Sequence, residues 1–64
     1  MMDKTLEVVL EQLREKRQQL VEAVATNSCR DFAEYQKLCG EIRGLSLAEG
    51  FILDLKKLME QSDD

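Results

Sequence analysis

Sixty-four residues, 44% of them hydrophobic and none of them proline, suffice for one small domain spanning 1–64 and no more. Thirteen acidic against nine basic side chains leave a net charge of −4, which argues against a nucleic-acid groove or an anionic membrane as the principal partner. With no histidine in the chain, the usual zinc and imidazole acid–base chemistries lack their ligand and their base.

The first predicted helix runs from about residue 4 to residue 25, with Asp3 or Thr5 able to cap it. Its apolar residues, Leu6, Val9, Leu10, Leu13, Leu20, Val21 and Val24, recur by threes and fours and form one stripe that faces inward. Arg17 lies on that stripe between Leu13 and Leu20. It is either a snorkelling side chain at the core's edge or a charged register pin that pairs with an acidic residue opposite, Glu34 or Glu49. Glu11, Glu15, Gln18, Gln19 and Glu22 make up the solvated face.

Thr26-Asn27-Ser28 is the connector. Asn27 tolerates the left-handed conformation that ends many helices, and Ser28 with Asp31 has capping-box spacing. A connection this short implies antiparallel neighbours. The expected fold is therefore an all-α antiparallel helical hairpin, with a second helix from about 29 to 60 and a polar tail at 61–64 that frays. In this arrangement Leu13, Leu20 and Val24 should face Phe32, Tyr35, Cys39 and Ile42.

The second helix carries apolar residues on two sides. At about 100° per residue, Phe32, Tyr35, Leu38, Cys39, Ile42 and Leu45 share one face. Phe51, Leu55 and Leu58, with Ile52 and Met59 beside them, fall roughly opposite, in line with Ala33, Gly40, Gly44 and Leu47. One short partner helix cannot cover both faces. Either the helix is continuous and offers its second face to another chain, or it breaks near 44–46 to give three helices. In the second case Gly44 ends one helix and Ser46-Leu47-Ala48-Glu49 caps the next. Gly40, Gly44, Leu47, Phe51, Leu55 and Leu58 are the candidate partner-binding residues, with Phe51 as the aromatic anchor.

Little else in the chain suggests chemistry. Gly40-Glu41-Ile42-Arg43-Gly44 lacks the strand and the Lys-Ser/Thr ending of a phosphate-binding loop, and its glycines instead permit close helix approach. Paired carboxylates such as Glu11 with Glu15 lie at the spacing of a solvated helix face, and no catalytic residue, cofactor, metal or small-molecule substrate is expected. Cys29 and Cys39 would be about 15 Å apart on one helix, too far for a disulfide, which reads as reduced thiols with Cys39 in the core. The short basic clusters Arg14-Glu15-Lys16-Arg17 and Lys56-Lys57 are too dilute for a phosphate track. No apolar run approaches a membrane span, and the charged opening Met1-Met2-Asp3-Lys4-Thr5 predicts no signal peptide.

The central string Tyr35-x-x-Leu38-x-Gly40-Glu41-Ile42-Arg43-Gly44-Leu45-x-x-Ala48, about a quarter of the chain, resembles small proteins encoded by tailed bacteriophages, often near head-assembly genes. That resemblance implies a phage origin and a virion or morphogenesis role, in the particle or the host cytoplasm, with no ligand residues to transfer. The expectation is a non-enzymatic structural or assembly accessory docking on a larger virion protein (capsid, portal or tail) or on itself. The alternative is a small regulator that inhibits a host protein.

Overall fold

The computed structural model describes residues 4–26 and 29–61. Two helices, α1 (Thr5–Ala25) and α2 (Phe32–Gln61), pack against each other along their length. Their direction follows from two cross-links. Glu7 near the start of α1 meets Lys56 near the end of α2, and Arg17 farther along α1 meets Glu49 farther back in α2. The pair is an antiparallel hairpin, as the short connector requires.

Both helices present a seam built to the same spacing. On α1 it is Leu6, Leu10, Leu13, Arg17, Leu20 and Val24; on α2 it is Leu38, Ile42, Leu45, Glu49, Ile52 and Lys56. Alternating steps of four and three keep a coiled-coil seam facing its mate, and each of these residues is buried or half-buried. Leu10 is the one buried apolar side chain among the described residues. The polar positions Glu11, Glu15, Gln18, Gln19 and Glu22 are all exposed, as expected.

The helix ends differ in detail from the sequence expectation. Thr5 is the first helical residue of α1, and Lys4 holds the cap position with no side-chain hydrogen bond to the helix. Asp3, Asn27 and Ser28 lie outside the described residues. At the C-terminus of α1 the Thr26 amide donates to the Glu22 carbonyl at 2.9 Å and the Thr26 hydroxyl donates to the same oxygen at 2.8 Å. Together they satisfy an acceptor that the helix end would leave orphaned.

α2 begins at Phe32, not near Cys29, and Asp31 supplies a cap. The Asp31 carboxylate accepts from the Glu34 amide at 2.8 Å, and its carbonyl accepts the first helical bond, from the Tyr35 amide at 3.1 Å. Arg30 then reaches Glu34 at 3.2 Å. Helix α2 continues without interruption through Gly44-Leu45-Ser46 to Gln61. The three-helix alternative is not adopted, and Glu49 is engaged by α1 rather than by a cap at Ser46.

A second correction concerns the face of α2. Phe32 is 68% exposed and Tyr35 43%, so neither packs on α1 as the wheel suggested, and Cys39 is half-buried. The seam is rotated toward Ala48 and Ile52. Phe32 and Tyr35 instead stack on each other with ring centroids 6.1 Å apart.

Candidate protein-docking face

The seam has a polar centre. Glu49 is only 9% exposed and takes two hydrogen bonds from Arg17, one from Nε to Oε2 and one from Nη2 to Oε1 at 3.4 Å. Arg14 Nε approaches Oε1 at 3.5 Å from the helical turn below. The Arg17 hydrogen bond holds the Glu49 carboxyl below the usual carboxylate range against the opposing effect of burial, with Arg14 assisting. The same contact raises the Arg17 guanidinium. Of the two readings of Arg17, the structure selects the register pin with Glu49 as its partner; Glu34 pairs with Arg30 instead. No buried side-chain nitrogen or oxygen among the described residues lacks a hydrogen bond.

Around the connector, Cys29, Tyr35 and Cys39 form a local cluster. Cys29 precedes α2, so the two cysteines do not share a helix, and both are free thiols. Burial pushes the Cys29 thiol up, with Glu34, Cys39 and Asp31 adding to the shift. A hydrogen bond with Cys39 is the main cause raising the Tyr35 hydroxyl. These shifts favour the neutral, unreactive forms, the opposite of what a nucleophilic thiol needs. Among the described residues no group of three or more His, Cys, Asp or Glu side chains could hold a metal ion. No helix there is long and apolar enough to cross a membrane.

The outer side of α2 is a different matter. Leu47 is 59% exposed, Phe51 70%, Leu55 43% and Leu58 63%, and all lie on the side turned away from α1. Gly40 and Gly44 continue the same line toward the connector, and both are exposed. A Cβ built on either glycine, or on Gly50, meets nothing within 4 Å. The six residues singled out from sequence therefore form one continuous, uncovered stripe. Of the two residues read as lying beside this face, Ile52 belongs to the α1 seam, and Met59 lies on a neighbouring side of α2.

A shallow hollow lined by Phe32, Tyr35, Gln36, Cys39, Gly40 and Arg43 extends the stripe at its connector end. Sequence reasoning missed this hollow because it assigned Phe32 and Tyr35 to the core. Their position next to the residues that cap the helix was the available signal.

Internal packing does not account for the glycines. An interior glycine costs a helix about 1 kcal/mol relative to alanine. Here three occur within eleven residues of one helix, and none is required by a neighbour in the same chain. Bare backbone is useful where a second surface must come close. The chain matches no protein-family model, no curated protein and no solved structure.

Proposed function

We propose that this chain is a non-enzymatic structural or assembly accessory that works by docking the outer face of α2 onto another polypeptide. The observation that carries the reading is an imbalance of burial. Leu10 is the one buried apolar side chain among the described residues, while Leu47, Phe51, Leu55 and Leu58 stand in the open on a single helix face. An ordered apolar stripe of this kind marks an interaction site on a small protein. Large side chains near its centre, Phe51 above all, are the kind that dominate binding energy.

The resemblance of the Tyr35–Ala48 string to small phage morphogenesis proteins supplies the setting: a tailed-phage particle, with a capsid, portal or tail protein or a second copy of the chain as the surface contacted. Mass spectrometry of purified particles tests it. The expected result is the chain present at a fixed ratio to the major shell protein, and lost or strongly reduced when Phe51→Asp replaces the wild type. A chain made during infection but absent from particles would overturn the reading and favour a regulator of a host protein.

A further inference from the structure

Resting on the docking reading above, we infer that the outer face of α2 pairs with the same face of a second copy, antiparallel, about a two-fold axis at the level of Glu49. The stripe is complementary to itself in size. Its connector half carries Gly40 and Gly44, and its far half carries Phe51, Leu55 and Leu58. Gly40 lies nine residues before position 49 and Leu58 nine after; Gly44 lies five before and Leu55 six after; Leu47 and Phe51 are two on either side. A two-fold operation thus sets each bulky side chain of one copy over a glycine of the other at both ends, with Leu47 against Phe51 between them. Such self-complementarity is what an isologous interface requires. Leu58 of the second copy enters the hollow beside Gly40 that Phe32, Tyr35 and Cys39 help to line.

Charge follows the same axis. Arg43 lies six residues before position 49 and Asp54 five after it, on the same flank of the stripe. Neither forms an ion pair among the described residues of its own chain. In an antiparallel two-fold pair, like flanks meet, so Arg43 of each copy approaches Asp54 of the other. Gly50, on the same flank, leaves room for Leu47 of the second copy.

The product is a four-helix unit whose two α2 helices lie at the centre.

Sedimentation of the full chain over a range of concentrations tests this pairing, with circular dichroism on each variant to show that the hairpin persists. The wild type should sediment as a dimer at tens of micromolar. Gly44→Leu should leave helicity intact and abolish the dimer. Arg43→Asp and Asp54→Arg should each weaken dimerisation about tenfold or more, since each sets like charges together twice, and the double exchange should restore it. A wild type that stays monomeric at hundreds of micromolar overturns the self-pairing, as does a dimer that the double exchange fails to restore. Either failure leaves the docking reading intact if Phe51→Asp still removes the chain from particles. If dimers form as described but the chain is absent from particles, only the particle role falls.

Discussion

At the scale of single residues, the Arg17–Glu49 pair is where charge and fold are most tightly linked. The folded-state pKa of Glu49 is depressed, so the carboxyl binds its proton more weakly folded than unfolded. The resulting stabilisation is fully present above the unfolded value of about 4.3 and is lost as pH falls through the lower folded value. The thermal midpoint should therefore drop on acidification below that point, and Glu49→Gln should drop less steeply. Parallel slopes for the two proteins would remove Glu49 as the cause. A buried pair is costly to break by half, yet apolar replacement of both partners is often neutral or stabilising. Arg17→Leu alone should lower the melting temperature, because Glu49 then keeps only Arg14 at 3.5 Å. The Arg17→Leu/Glu49→Leu double variant should recover the loss or exceed the wild type, at the expense of a defined helix register, which disulfide trapping between cysteine pairs placed one on each helix, in a background without Cys29 and Cys39, would detect.

At the scale of elements, the identical four-three spacing on α1 and α2 sets the packing order. Leu10 is 5% exposed, and truncating a buried leucine costs about 2–5 kcal/mol, a large part of what a domain this small possesses. Leu10→Ala should therefore unfold most of the isolated hairpin in a circular-dichroism melt. Leu20→Ala, at a half-buried position, should cost less. Equal losses for the two would mean that burial along the seam is more even than the structure has it. The hairpin was legible because α1 keeps its apolar rhythm with one interruption. The seam of α2 was not, for a physical reason. Two of its six positions are filled by Glu49 and Lys56, which α1 answers with Arg17 and Glu7. A wheel that counts only apolar residues loses the seam there and turns it toward Phe32 and Tyr35. The outer stripe was legible for the complementary reason: Leu47, Phe51, Leu55 and Leu58 have no charge among them to interrupt the pattern, and continuity of the helix through Gly44 keeps them in line.

At the scale of the whole molecule, stability and association cannot be separated if the open face is covered by a second copy. Two helices packed along one seam give each helix a single sheltered side, and the apolar area on the other side of α2 contributes to stability only when another chain covers it. Anything that binds the folded form and not the unfolded one stabilises it in proportion to the logarithm of its concentration over the dissociation constant. For a self-pairing chain that ligand is the protein itself. The melting temperature should therefore rise with protein concentration across the range in which dimers form. Phe51 is 70% exposed in the single hairpin, so Phe51→Ala should remove the concentration dependence while leaving the midpoint of the dilute protein nearly unchanged. The opposite pattern, a concentration-independent midpoint that Phe51→Ala lowers, would place Phe51 in the core of the single chain, and the outer face of α2 would then be structural rather than a surface for pairing.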